Sequence, residues 1–91
     1  MKRTKYTIAN WKMNGQKDSY KLVKSISNHY KKMKRKSSKV VICPPFTLLS
    51  EFVKKEKNIK FGGQDCHHKP NGAYTGSVSA NMLKTINCQY V

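Results

Sequence analysis

Asn10 and Lys12 stand two residues apart in the stretch Ala9-Asn10-Trp11-Lys12-Met13-Asn14-Gly15, at the close of the first apolar run. A side-chain amide can donate and accept hydrogen bonds, and an ammonium beside it suits an anionic small molecule. Tyr6 to Asn10 is rich in β-formers, and strand alternation extended past it places Ile8, Asn10 and Lys12 on one face and Thr7, Ala9 and Trp11 on the other. The reading therefore expects Asn10 and Lys12 to point the same way from a strand end, where one flanking turn holds both toward a common ligand. Trp11, on the other side, is read as packing.

Other chemistry-bearing residues carry less. Cys66-His67-His68 offers zinc-ligand types, but consecutive residues diverge and no second ligand pair sits at finger-like spacing, so no metal is expected. Cys43, Cys66 and Cys88 are odd in number and lack a Cys-x-x-Cys pair, which argues against a disulfide framework. Gly72-Ala73-Tyr74-Thr75-Gly76-Ser77 lacks the Gly-Lys-Ser/Thr ending of a phosphate-binding loop, and its glycines read instead as a protruding loop. Glu51 and Glu56, the two glutamates, fall on or after a Lys-rich helix end, away from Asn10 and Lys12.

The elements that must position these residues alternate along the chain. Strands are expected at Tyr6 to Asn10, Lys39 to Cys43, Ile59 to Gly62 and Cys88 to Val91, separated by three stretches of helical spacing. This βαβαβαβ rhythm is the signature of a parallel sheet. In the first helix Asp18 or Ser19 is the expected cap, and Leu22, Val23, Ile26, Tyr30 and Met33 form the apolar stripe. Pro44 and Pro45 open a second helix that buries Leu48, Leu49, Phe52 and Val53. The third begins near Ser77 or Ser79 and buries Met82, Leu83 and Ile86.

Composition bounds the answer from another side. The 91 residues suffice for one small domain, and no linker divides residues 1–91. No apolar run approaches the roughly 18 residues of a membrane span, and the basic start lacks a secretory pattern, so no membrane partner and a cytoplasmic location are expected. With 19 Lys+Arg against 4 Asp+Glu the formal charge is +15, which by itself suggests a polyanionic partner. All the cations except Arg3 and Arg35 are lysines, however, spread over the whole chain. Base-edge and phosphate recognition lean on the arginine fork, so the charge is assigned to overall Lys bias and nucleic acid is disfavoured as a partner.

Three blocks of this sequence resemble the triosephosphate isomerases. Ala9 to Gly15 resembles the family's opening, and Cys43-Pro44-Pro45 the end of its second strand. Gly62-Gly63-Gln64-Asp65-Cys66-His67-His68, Gly72 to Ala80 and Met82-Leu83 resemble the loop and helix after its third strand. The blocks follow the family's order and spacing from Tyr6 to Val91. The resemblance implies an α/β fold, namely the N-terminal three βα units and fourth strand of a (β/α)8 TIM barrel, not closed within this chain.

It also implies interconversion of dihydroxyacetone phosphate and D-glyceraldehyde 3-phosphate in glycolysis and gluconeogenesis, through an enediol and without cofactor. Asn10 and Lys12 would be the catalytic and substrate-binding residues. Asn14, Gln64, Tyr74, Thr75 and Gly76 would belong to the interface of a homodimer, with Gln64 supporting the base of the protruding loop. The family continues past its Cys-x-Tyr-Val strand with Gly-His-Ser-Glu-Arg-Arg; its histidine electrophile would follow Val91 within a few residues, and its glutamate base and closing loop much later. On this reading the 91 residues are a fragment, inactive alone. A small basic nucleic-acid-binding protein and a decayed gene product are the alternatives.

Overall fold

A computed structural model describes residues 2–91. Two runs of strand-forming residues, Tyr6–Asn10 (β1) and Lys39–Cys43 (β2), pair in parallel with Tyr6 opposite Lys39 and Asn10 opposite Cys43. Lys60–Phe61 (β3) pairs in parallel with β2, setting Ile42 opposite Phe61. The sheet order is β1-β2-β3, as successive crossover helices require. Three parallel strands in an unclosed sheet match the partial barrel expected from the sequence.

The third and fourth strands are shorter than expected. Beyond Phe61, Gly62 still donates to Ile42 O at 3.0 Å, but the expected strand at Cys88 to Val91 contributes only a parallel bridge between Gly62 and Tyr90. Asn87 sits at φ 63 and Cys88 N–H returns to Leu83 O at 3.1 Å, closing the preceding helix. The chain becomes extended too late for more than Tyr90 to reach its neighbour.

Helix α1 spans Tyr20–Lys32 and follows a 3-10 turn at Lys17–Ser19. Ser19 Oγ accepts from Gln16 N–H at 3.0 Å, fixing the entry to that turn. Val23 and Ser27, one turn apart, are buried, and Ile26 and Tyr30 pack beside them. Two members of the expected stripe lie off this seam. Leu22 is 55% exposed, about 100° around the helix from Val23, and Met33 has left the helix at ψ 124.

Helix α2, Phe46–Lys55, buries Leu48, Leu49, Phe52 and Val53 as its spacing predicts. Phe52 is fully enclosed, with the rings of Trp11 and Tyr20 each 5.8 Å away and that of Phe61 at 6.4 Å. Edge-on and tilted contacts of this kind add about 0.5–1.5 kcal/mol per pair beyond area burial. Helix α3, Ala80–Thr85, is capped by Ser79, whose Oγ accepts from Met82 N–H at 3.2 Å. Leu83 alone of the expected trio is buried; Ile86 is half-buried and Met82 is exposed, because a six-residue helix presents a single turn to the core. No helix among the described residues is long and apolar enough to cross a membrane.

Candidate functional site at the carboxyl ends of the strands

Parallel pairing brings the carboxyl ends of β1 and β2 to one edge, where Trp11 N–H donates to Cys43 O at 3.0 Å. Immediately beyond, Lys12 turns into the left-handed region at φ 56. That conformation costs a residue with a Cβ about 1–2 kcal/mol. It persists where surroundings over-determine it, and such positions cluster at functional sites.

The surroundings here are specific. Asn10 Oδ1 accepts from Lys12 N–H at 2.9 Å, so one side of the lysine's backbone is held by the residue two places earlier. Gln64 Nε2 donates to Lys12 O at 2.8 Å and also to Cys43 O at 2.9 Å, holding the other side and pinning it to the end of β2. Asn14 Nδ2 closes the turn onto Trp11 O at 3.0 Å. Gly15, at φ 114, lies beneath the Trp11 ring, where a Cβ would come within 2.9 Å of Cε3.

The structure thus unites Asn10, Lys12, Asn14 and Gln64, though not by the expected route. Strand alternation stops at Asn10, so Lys12 does not share a strand face with Ile8 and Asn10. An Asn10 hydrogen bond to the Lys12 amide joins the pair instead. Lys12 itself is exposed, with no carboxylate within ion-pair distance among the described residues. An ammonium left unpaired on a rigid, strained turn is suited to an anionic ligand.

Gln64 is also placed differently from the expectation that it supports the protruding loop. Its Nε2 donates to the strand ends, 52 and 21 residues away in sequence, a contact that local sequence reading missed. Trp11 packs against Phe52, as expected. Burial pushes the Cys43 thiol above its usual range, with Cys88 adding to the rise and outweighing the Gly62 backbone. Cys43 therefore stays a protonated packing residue rather than a nucleophile.

Tyr74, Thr75 and Gly76 stand apart from the clamp, exposed on the loop that precedes α3. Gly76 has φ 84 and open space around it, while Gly72, at φ 140, lies against the Tyr74 ring. His67 organises the loop. Its backbone N–H donates to Val78 O at 2.7 Å, its Nδ1 accepts from Lys69 N–H at 3.0 Å, and its ring stacks between His68 at 4.5 Å and Tyr74 at 4.0 Å. His67 is thereby engaged in holding the loop's shape, and Cys66 N–H is held by Asp65 Oδ1 at 2.9 Å.

Comparison with known proteins gives one consistent result. The sequence model of a family described as triosephosphate isomerase matches residues 5–91. The triosephosphate isomerase of Wolbachia pipientis wMel is 48% identical over 84 residues, covering 92% of this chain and 34% of that protein. That of Alkaliphilus oremlandii is 45% identical over 85 residues, covering 90% of this chain and 33% of the relative. The crystal structure of triosephosphate isomerase from Bartonella henselae superposes with a TM-score of 0.85 at 35% identity, covering 94% of this chain and 35% of that one. The chain spans about a third of the length of these relatives.

Proposed function

This chain belongs to the triosephosphate isomerase family, and on that premise we propose that it supplies the substrate-binding turn of an enzyme that interconverts dihydroxyacetone phosphate and D-glyceraldehyde 3-phosphate. The observation that carries the reading is the clamped, left-handed Lys12 with its free ammonium. In this reading the ammonium neutralises the negative charge of the bound phosphorylated triose and of the enediolate that forms when a carbon-bound proton is removed. With Asn10 Oδ1 committed to the Lys12 amide, Asn10 Nδ2 is the donor left for the ligand.

Proton transfer needs a base, and neither glutamate among the described residues stands at the turn. Glu51 pairs with Lys55 at 3.4 Å on α2, and Glu56 is buried against Ser27. We assign the base to the part of the enzyme corresponding to the two-thirds of the relatives outside the match. The loop carrying Tyr74, Thr75 and Gly76, with Asn14 and Gln64, is assigned to the interface of a homodimer. Glycolytic use in the cytoplasm is part of the same proposal.

The test is a fusion of residues 1–91 to the remainder of the Wolbachia pipientis wMel relative, assayed for isomerisation of glyceraldehyde 3-phosphate. Turnover is expected, and Lys12→Met is expected to lower kcat/KM by more than tenfold, or about 1.4 kcal/mol. A fusion in which Lys12→Met costs less than tenfold refutes the assignment.

A further inference from the structure

The charge of this chain is gathered more than its composition implies. Between Asp18 and Glu51 there is no acidic residue, and from Lys21 to Lys39 every charged residue is a cation. The structure lays the first part of this run along one helix face, where Lys21, Lys24, Ser25, Asn28, His29 and Lys32 line a shallow groove and are all exposed. Lys34, Arg35 and Lys36 follow the helix end and are exposed as well, with Lys36 turned over the Tyr30 ring. Among the described residues the one ion pair is Lys55 with Glu51 on α2, so the lysines of this face are not neutralised within the chain.

The geometry points to a binding surface for the phosphodiester backbone of nucleic acid, read without regard to base sequence. Lysine ammoniums with interleaved Ser and Asn donors are the groups that contact phosphate and sugar oxygens. The α1 face carries no arginine, the residue that reads guanine edges bidentately. The row from Lys21 to Lys32 is about 17 Å long, enough to follow successive phosphates. A lipid surface fits less well, because a helix lying in a membrane interface must turn an apolar face outward. Here Val23, Ile26 and Tyr30 are already packed on the fold.

The test compares two triple variants of equal charge by fluorescence anisotropy with a mixed-sequence DNA duplex over a range of NaCl. Lys21→Gln with Lys24→Gln and Lys32→Gln neutralises the face, whereas Lys54→Gln with Lys60→Gln and Lys84→Gln removes the same charge from exposed positions elsewhere. The first set is expected to weaken binding at least tenfold and to reduce the slope of log K against log salt by roughly 3, about 1 per lysine. The second is expected to change affinity less than threefold. Equal losses in the two sets would show a response to net charge alone and overturn the proposal. So would tighter binding to phosphatidylserine vesicles than to the duplex. The same two sets made in the fusion, with isomerase turnover unchanged by either, separate this surface from the catalytic reading.

Discussion

Gln64 donates through one nitrogen to two carbonyl oxygens, those of Lys12 at 2.8 Å and Cys43 at 2.9 Å. This single amide bridges the turn after β1 and the last residue of β2, two segments that backbone pairing no longer joins beyond Trp11. Its effect is to remove the alternatives open to a lysine that would otherwise relax out of the left-handed region. Preorganisation of this kind matters because a charged group displaced by an ångström loses much of its advantage in the transition state.

Replacing Gln64 with Ala in the fusion is expected to lower kcat/KM by about ten- to a hundredfold, or 1.4–2.7 kcal/mol. Gln64→Glu is expected to behave similarly, since an ionised carboxylate cannot donate to either carbonyl. Steady-state kinetics of both variants check this, and a change under threefold would show that Lys12 holds its place without the clamp.

Gly15 supports the same turn from below. Ala there must accept φ 114 and bring its Cβ to 2.9 Å from the Trp11 ring and 3.2 Å from Leu48 Cδ1. Gly15→Ala is expected to destabilise the chain by about 1–3 kcal/mol, through backbone strain and displacement of Trp11 from Phe52. Urea denaturation of the two proteins measures the difference, and equal midpoints would contradict it.

Much of the framework was legible in local sequence. β1 and β2 are marked by β-branched and aromatic runs, and the second is ended by Pro44-Pro45, so their limits coincide with the reading. The α2 face was equally clear, because four apolar residues repeat at helical spacing with no competitor. Lys12 was misplaced because alternation holds only while the backbone stays extended, and nothing local announces φ 56 in a lysine. Gln64 and the Ser27–Glu56 contact were invisible for another reason. Their partners are 52, 21 and 29 residues distant, and no periodicity encodes a side-chain hydrogen bond across the fold.

The Ser27–Glu56 contact makes stability depend on pH. Burial works to raise the Glu56 carboxyl, but donors from Ser27 Oγ at 2.5 Å and from Asn58 outweigh it and hold the group below its ordinary value of 4.5. A carboxyl depressed in the folded state binds protons more readily when unfolded. Its contribution is therefore fully present above the unfolded value and is lost as pH falls through the folded one. Ser27→Ala is expected to cost about 1.5–3 kcal/mol at pH 7 and to flatten the loss of stability as pH falls below the ordinary carboxyl value of 4.5. Urea midpoints from pH 7 into that acid range decide it, and parallel pH curves for the two proteins would remove Ser27 from the account.

The loop that carries Tyr74, Thr75 and Gly76 offers a test of assembly. Its shape is supported within the chain by the His68-His67-Tyr74 stack and by Ser77 N–H donating to Tyr74 O at 3.0 Å, contacts that need no partner. A preformed contact loses less entropy on association than a loop that must order as it binds. Two losses of different size follow in the fusion. Deleting residues 71–77 is expected to give a monomer, because a two-fold interface loses the same loop from both subunits at once. His67→Ala keeps the tip but removes the stack and the Nδ1 acceptor, and is expected to weaken dimerisation by about tenfold, or 1.4 kcal/mol. Sedimentation equilibrium distinguishes them. A deletion variant that remains a tight dimer would place the interface elsewhere, and a His67→Ala variant as tight as its parent would show that the partner, not the stack, shapes the loop.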